Sequence, residues 1–328
     1  MNNRRKLLKF LLALGVGMVS GVGRAQTART YRVGLLFGGR KEGNTEFHDA
    51  FREQMAALGY VEGRNLIIDT RFGDNMGDRA TLLAEELAAL HPNVFVAAQG
   101  QAVAAGSRLP STIPVVIISS GNPVDAGFVA SFARPGGNVT GISLLAVELV
   151  GKRIELLKEM QAKLGTVAVI ADPQHAGQHR ERAASEEEAK KLAIRILYYP
   201  VRNRAELDAA LLAGKAAGAE GIVAFPDGVT YPNRKAIAEF AVQNRLPVVA
   251  GWASFVEAGC LLSYGPNQRA TYARAAYFVD RIIKGTSPAD LPVELPSIVE
   301  LTVNWKTAKA LDIRIPNSIL ARADKVIE

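Results

Sequence analysis

Short apolar runs alternate with segments of helical periodicity along the first half of the chain. Apolar, β-branched runs of four to eight residues are typical of strands that are buried on both faces of a sheet. Predicted strands cover 31–37, 66–72, 94–98 and 115–118, and predicted helices cover about 45–58, 78–90 and 101–109. This βαβαβαβ order predicts a parallel sheet with helices on both faces.

The same alternation begins again after a predicted helix at 145–163. Its strands are predicted at 167–171, 195–201, 221–225 and 247–250, with helices near 177–193, 204–217, 232–244 and 268–284 and one further strand at 299–303. We therefore predict an α/β fold of two doubly wound parallel-sheet lobes joined by a hinge. The expected limits are 29–140 plus about 266–298 for lobe 1 and 141–265 plus about 299–328 for lobe 2. Connectors are expected near 138–145, 259–267 and 292–302.

The stretch 113–143 organises the first unit. Its apolar run ends in the turn-rich loop Ser119-Ser120-Gly121-Asn122-Pro123, at the carboxyl end of a predicted strand, where open α/β sheets bind ligands. A helix is predicted at 124–133, because Pro135 and two glycines after it stop the helical pattern. We interpret the extended segment 138–143 as the exit from one lobe into the other.

The N-terminal residues 1–25 resemble an export signal. Basic residues precede an apolar core at 10–19, which is short for a membrane span, and small residues lead to Ala25. The two arginines, Arg4 and Arg5, fit a twin-arginine signal, and a general secretory signal is equally compatible. We expect a mature, exported protein that begins near Gln26, and no cysteine near the cleavage region offers a lipid anchor.

The formal net charge of +7 arises mostly in that segment. Residues 1–25 contain five basic and no acidic residues, which leaves +2 for the remainder. We therefore expect no nucleic-acid partner, because a basic surface is what such binding requires. The single cysteine, Cys260, lies in an apolar run and is expected to be buried.

The segment 119–143, SSGNPVDAGFVASFARPGGNVTGIS, resembles the signature of a family of ABC-transporter substrate-binding proteins. Further matching pieces are FR at 51–52, LGYVEGRN at 58–65, RIELLKE at 153–159, FVEAG at 255–259, SYGPN at 263–267 and TAKAL at 307–311. The likeness extends, in order, over nearly everything after residue 30. It implies a type I periplasmic-binding-protein fold, related to tryptophan- and aromatic-amino-acid-binding lipoproteins, and it does not specify the ligand.

Signatures of catalysis and of cofactors are missing from the sequence. The loop after Gly38 matches neither a dinucleotide fingerprint nor a phosphate-binding loop, and no G-x-S-x-G elbow surrounds Ser120. His175 and His179 are spaced for a shared metal only if helical, and no second pair of ligands is evident. We expect no catalytic residue, no metal and no cofactor.

Position in the predicted sheets gives the candidate binding residues. Loops at the carboxyl ends of parallel strands meet at one edge, so their side chains should face a shared cleft. Asp172 and Asp227 suit an ammonium group of a ligand, and the backbone amides after Gly100 and Asn122 suit a carboxylate. Tyr231, together with the aromatic residues of the set below, suits a wall against the apolar part of the ligand. The full set of predicted ligand-binding residues is Phe37, Gly38, Gln99, Ser119, Ser120, Asn122, Ser143, Asp172, Phe225, Asp227 and Trp252.

These features favour a solute-binding protein without catalysis. The expected ligand is a small organic solute, an amino acid or a related organic acid, held between two lobes. The resemblance implies a periplasmic location and two partners, an ABC permease and its ATPase subunit; we expect a monomer. Two alternatives stay open: a periplasmic enzyme on the same fold, since fold alone does not fix function, and a ligand-binding sensor subunit.

Overall fold

The computed structural model describes residues 29–144 and 147–328, with Glu148 described by its backbone alone. The predicted export signal, 1–25, lies outside these residues. The strands are β1 Tyr31–Phe37, β2 Leu66–Phe72, β3 Val94–Ala98, β4 Val115–Ser119, β5 Val139–Ser143, β6 Thr166–Ala171, β7 Arg195–Pro200, β8 Gly221–Ala224, β9 Val248–Ala250, β10 Leu262–Pro266, β11 Val299–Asn304 and β12 Lys325–Ile327.

Helices connect these strands in the predicted alternation. They are α1 Thr45–Ala57, α2 Gly77–Ala89, α3 Gly100–Gly106, α4 Glu148–Met160, α5 Gln178–Lys191, α6 Arg204–Ala216, α7 Arg234–Gln243, α8 Ala253–Glu257, α9 Gln268–Ile283, α10 Trp305–Ala310 and α11 Asn317–Leu320, with a 3-10 turn at Pro288–Asp290. None of the helices in the described part of the chain combines the length and apolar character that crossing a membrane requires.

The described strands form two sheets, so the predicted two-lobed α/β fold is confirmed. The first sheet has the order β2-β1-β3-β4-β5 and is parallel throughout. The second has the order β12-β11-β10-β9-β8-β6-β7, in which only the β10–β11 pair is antiparallel. Helix α9 packs against α1 and against strands of the first sheet, so the chain returns to the first lobe before it completes the second.

The segment 138–143, interpreted as an exit between lobes, is instead the edge strand β5 of the first sheet. Its hydroxyl groups are compatible with a buried strand, because backbone carbonyls accept their protons. The Thr140 hydroxyl donates to the Leu291 carbonyl (2.6 Å), and the Ser143 hydroxyl donates to the Gly121 carbonyl (3.0 Å). Gly141 has φ +138°, and a Cβ there would lie 2.1 Å from the Ile117 carbonyl oxygen, so only glycine fits.

The predicted helix at 124–133 is wrong. Asn122 accepts the N–H of Val124 (2.9 Å) through its side chain, which makes a local turn, and Gly127 then adopts φ +73°. That left-handed conformation ends the helical geometry after one turn. The expected connector at 259–267 also differs, because it contains strand β10, paired with β9 on one side and β11 on the other.

Segments that link the two sheets lie side by side. The N–H of Ser143 donates to the Glu294 carbonyl (3.0 Å), and the N–H of Glu294 donates to the Gly141 carbonyl (2.9 Å). The chain crosses between the sheets a third time at Asn267, whose N–H donates to the Ile298 carbonyl (3.0 Å). Adjacent crossings of this kind give two lobes a common axis about which to rotate.

Candidate functional site

A cavity lies where the carboxyl ends of the two sets of strands face each other. The empty space there, counted together with the open solvent at its mouth, is about 600 Å³. Loops that follow β1, β3, β4, β8 and β9 line it together with helix α9, as the strand-end rule predicts. Its lining residues are Gly38, Asn75, Gln99, Gly100, Gln101, Ile118, Ser120, Leu144, Asp227, Gly228, Tyr231, Pro232, Trp252, Gln268 and Tyr272.

Aromatic rings supply two walls of this cavity. On the second-lobe side Tyr231 and Trp252 meet edge to face, with ring centroids 5.1 Å apart. On the first-lobe side Tyr272 stacks on Phe47 (4.6 Å between centroids) and on Phe37 (5.7 Å). The Tyr272 hydroxyl is buried and has no hydrogen-bond partner among the described residues, although the Gln99 side chain lies near it. Flat apolar faces with an unused polar atom suit a planar, amphipathic ligand.

Asp227 is the buried carboxyl group of the cavity. It follows β8 and is 4 % exposed. Its Oδ1 accepts the N–H groups of Val229 (2.8 Å) and Thr230 (2.7 Å), and its Oδ2 accepts the N–H of Asp172 (2.7 Å). A carboxylate has about four lone-pair sites, so Oδ2 retains one for a further donor. Burial raises the pKa of Asp227 to about 6, and the backbone N–H groups oppose that shift.

Gln99 holds the first-lobe loops in place. Its backbone has φ +72° and ψ 134°, a conformation that is costly outside glycine and that concentrates at functional sites. Its side-chain oxygen accepts the N–H of Gly39 (3.0 Å), and its side-chain nitrogen donates to Asn44 Oδ1 (2.6 Å). The backbone N–H groups of Gly100 and Gln101, which line the cavity, open α3 and have no acceptor within that helix.

Loops of the two lobes contact each other beside the cavity. The Ser120 hydroxyl lies 3.1 Å from His175 Nε2, and the N–H of Asn122 donates to the Ala176 carbonyl (3.1 Å). Farther out, the Arg180 guanidinium donates to both oxygens of Asp125 (2.9 and 3.0 Å). The lobes are therefore closed over the cavity along this side.

A group of buried charged residues lies behind these contacts in the second lobe. Arg153 donates through Nε to the Tyr264 carbonyl (2.8 Å) and is fully buried with Glu181. Arg153 Nη1, Glu181 Oε2 and His175 Nδ1 have no hydrogen-bond partner among the described residues. Burial raises the pKa of Glu181 to about 8, with Arg153 opposing that shift and Asp227 adding to it; burial lowers the pKa of His175 to about 4.

The cavity lining includes part of the predicted binding set: Gly38, Gln99, Ser120, Asp227 and Trp252. Phe37 and Phe225 are instead fully buried in the cores of the lobes, so we omit them from the proposed site. Phe37 stacks on Tyr272, which does line the cavity, and Phe225 belongs to the core of the second lobe.

The other predicted residues support loops rather than line the cavity. Ser119 Oγ accepts the N–H of Gly121 (3.2 Å), and the Ser143 hydroxyl donates to the Gly121 carbonyl. Asn122 accepts N–H groups of the turn that follows it. Asp172 Oδ1 accepts the N–H of Gln174 (2.9 Å), while its own N–H contacts Asp227. These residues shape the site from behind.

Helix residues of the cavity lining escaped sequence reasoning. Gln268 and Tyr272 come from α9, far along the chain, and the strand-end rule does not include helix residues. His175 precedes α5, with a side chain that is 10 % exposed, so the helical spacing considered for His175 and His179 does not arise. In the part of the chain that the structure describes, no group of three or more histidine, cysteine or acidic residues is arranged to hold a metal ion. Cys260 is buried, as predicted.

Comparisons with known proteins agree with this architecture. Residues 40–327 match the family model described as ABC transporter substrate binding protein. A tyrosine-binding protein of Clostridioides difficile is 22% identical over 326 residues, which cover 94% of this chain and 93% of that protein. A conserved domain protein from Vibrio cholerae superposes with a TM-score of 0.83 at 26% identity, covering 91% of this chain and 100% of the other.

A second solved structure superposes equally well. It is the ABC domain in complex with L-Trp from Streptococcus pneumonia, with a TM-score of 0.83, 21% identity and coverage of 91% of this chain and 100% of the other. Two parallel-sheet lobes with a cavity between their strand ends define the type I periplasmic-binding-protein class. Since the family model matches most of the chain, this chain belongs to the ABC transporter substrate-binding protein family.

Proposed function

We propose that this protein is the extracytoplasmic solute-binding subunit of an ABC importer and that its solute is an aromatic amino acid. The observation that carries this proposal is the cavity itself, in which a buried carboxylate, Asp227, lies among the aromatic side chains of Tyr231, Trp252 and Tyr272. Similarity to a tyrosine-binding protein and to a protein in complex with L-Trp agrees with it.

Each part of an amino acid has a matching group in the cavity. A buried carboxylate needs a positive partner, and the remaining lone pair of Asp227 Oδ2 suits the α-ammonium group. Backbone N–H groups at Gly100 and Gln101 and the Ser120 hydroxyl suit the α-carboxylate. The aromatic side chain then lies against the rings, where offset and edge-to-face contacts each add about 0.5–1.5 kcal/mol.

The rest of the proposal concerns delivery. We expect the lobes, close to the limits predicted from the sequence but with β5 in the first, to open and close about the paired crossings near Ser143, Glu294 and Asn267. The closed form would present the solute to a membrane permease that an ATPase drives. The signal-like residues 1–25 support a periplasmic location, and we propose that the mature protein acts as a monomer.

Native mass spectrometry of the purified mature protein tests the ligand class, because a solute that co-purifies reports its own mass. A thermal-shift screen of the twenty amino acids, with sugars and dicarboxylates as other classes, then ranks candidates. Stabilisation by tyrosine or tryptophan that Asp227→Asn abolishes supports the proposal. Asp208→Asn, an exposed substitution on α6, is the matched control. Stabilisation by a sugar and by no amino acid contradicts the proposed function.

A further inference from the structure

The Ser120 hydroxyl has one hydrogen-bond partner among the described residues, and Ser120 also faces the cavity. Ser120 lines the cavity from the first lobe, and its Oγ lies 3.1 Å from His175 Nε2 in the second lobe. A hydroxyl has a single proton, so it either donates to the histidine or accepts from it. In the first case it offers only lone pairs to a ligand; in the second it offers its proton. The protonated nitrogen of His175 therefore decides what the cavity presents at this position.

Glu181 faces the other nitrogen of the same ring. Its Oε2 lies 3.8 Å from His175 Nδ1, which exceeds a hydrogen bond, yet both atoms are buried and have no other partner among the described residues. The Glu181 side chain is 4 % exposed and that of His175 10 %. Buried polar atoms in native proteins are almost always satisfied, so a small shift or a bridging water that joins these two is expected.

The charges around Glu181 determine which of the pair holds the proton. Arg153 on α4 favours the ionised form of Glu181, and Asp227 after β8 disfavours it. The Tyr198 hydroxyl on β7 also interacts electrostatically with Glu181. Burial dominates and raises the pKa of Glu181 to about 8, while burial lowers the pKa of His175 to about 4. Near pH 7 both groups are therefore neutral, and the carboxylic acid has a proton to offer to Nδ1.

We propose that Glu181 and His175 are positioning residues that turn the Ser120 hydroxyl into a hydrogen-bond donor toward the carboxylate of the ligand. The Glu181 acid donates to Nδ1, directly or through a water, so the ring proton resides on Nε2. The Nε2–H then donates to Ser120 Oγ, and the hydroxyl proton is left to point into the cavity. This inference rests on the proposed function for its ligand, since an amino acid supplies the carboxylate.

The tautomer of His175 tests the direction of this chain without any ligand. Glu181 and His175 belong to the same lobe, so their relation holds whether the lobes are open or closed. The sequence has four histidines, and nitrogen-detected spectra of protein labelled with 15N-histidine, assigned by loss of a signal in His175→Gln, separate them. We expect His175 at pH 7 to be protonated on Nε2 and bare on Nδ1. A proton on Nδ1 overturns the proposal.

Binding of matched ligands tests its consequence. Tyrosine and tryptophan are compared with tyramine and tryptamine, which lack the carboxylate, and the ratio of the two Kd values measures the carboxylate's contribution. We expect Ser120→Ala and His175→Phe to reduce that ratio about tenfold, the loss of a hydrogen bond to a charged group. His175→Gln, whose amide nitrogen occupies the place of Nε2, should retain most of the ratio.

Arg180→Ala is the matched control, because it removes a contact between the lobes outside the cavity. It should weaken amine and amino acid by the same factor and leave the ratio unchanged. If His175→Phe behaves like Arg180→Ala, the histidine only holds the lobes together and the proposal is overturned. If the wild-type protein binds none of these compounds, the proposed function fails, and the tautomer alone then decides the direction of the Ser120 hydrogen bond.

Discussion

Arg180 of the second lobe donates two hydrogen bonds, 2.9 and 3.0 Å long, to the two carboxylate oxygens of Asp125 in the first lobe. The pair lies outside the cavity and joins residues that are far apart in the sequence. The pKa of the Asp125 carboxyl group lies below its usual value, mainly because Arg180 donates this hydrogen bond. This ion pair joins the two lobes outside the cavity, so we expect it to link closure of the lobes to ligand affinity without touching a ligand.

Asp125→Asn should therefore weaken ligand binding modestly. An exposed ion pair contributes about 0.2–1 kcal/mol, so we expect Kd to rise by a factor of about two to five, mostly through faster dissociation. Surface plasmon resonance at two salt concentrations measures this, since salt should reduce the wild-type advantage. Arg204→Ala, which removes a pair within α6, is the control. Equal dissociation rates for the wild type and Asp125→Asn would contradict a role of this ion pair in holding the lobes closed.

Gly121 lies at a close approach between the lobes. A Cβ at this position would lie 2.9 Å from the Ala176 carbonyl oxygen and 3.1 Å from the Ala176 Cβ. Gly121→Ala should obstruct closure and weaken binding by on the order of 1–3 kcal/mol, the cost of over-packing. Calorimetry measures the affinity and small-angle scattering the radius of gyration with ligand. Gly137→Ala, with no atom within 4 Å of the added carbon, should change neither quantity; wild-type affinity in Gly121→Ala would show that the lobes bind without this approach.

Tyr272 separates ligand contact from stability. Its buried hydroxyl has no hydrogen-bond partner among the described residues, so Tyr272→Phe should leave the free energy of unfolding unchanged or raise it. The same substitution should reduce ligand affinity if the hydroxyl contacts the solute. Tyr60→Phe is the contrasting variant, because the Tyr60 hydroxyl donates to Asp280 (2.9 Å) in a buried bond whose loss costs about 1–3 kcal/mol. Urea unfolding and calorimetry of both variants distinguish the two cases; destabilisation by Tyr272→Phe as large as that by Tyr60→Phe would count against the account.

Glu181 makes the stability of the unliganded protein depend on pH. Its pKa rises from 4.5 to about 8 on folding, so between these values the folded state holds a proton that the unfolded state has lost. Its contribution is fully present below pH 4.5 and is lost as pH rises toward 8, at up to about 1.4 kcal/mol per pH unit. Urea unfolding across this range should show a flatter profile in Glu181→Gln. The exposed Glu187→Gln should follow the wild type, and identical slopes in all three proteins would contradict the burial argument.

The sequence contained enough information to predict the two sheets and about a third of the residues that line the cavity. Continuous apolar runs mark strands buried on both faces, and the strand-end rule placed Gly38, Gln99, Ser120, Asp227 and Trp252 at the cleft. The sequence pattern did not assign β5 to the first sheet. This strand carries a threonine and a serine whose hydroxyls donate to distant carbonyls, and no local pattern reveals such a pairing.

The remainder depends on contacts between distant parts of the chain. Tyr272 reaches the cavity because α9 crosses back to the first lobe. The helical periodicity of a sequence predicts a helix, but it does not indicate which part of the protein that helix will contact. Glu181 lies in a helix rich in charged residues, where a solvated position is the normal expectation, yet packing against α4 buries it. Burial of a single charge has no sequence signal of its own.

Titration calorimetry of L-tyrosine and L-tryptophan into mature protein that has been unfolded, dialysed and refolded tests the central claim most directly. We predict one site per chain for at least one of them, and a loss of on the order of 2–5 kcal/mol of binding free energy in Asp227→Asn, the range for removing one partner of a desolvated charge pair. Asp208→Asn should bind as the wild type does. Folded protein that gives no heat with either amino acid, or that binds one equally well with and without the Asp227 carboxylate, would contradict the account.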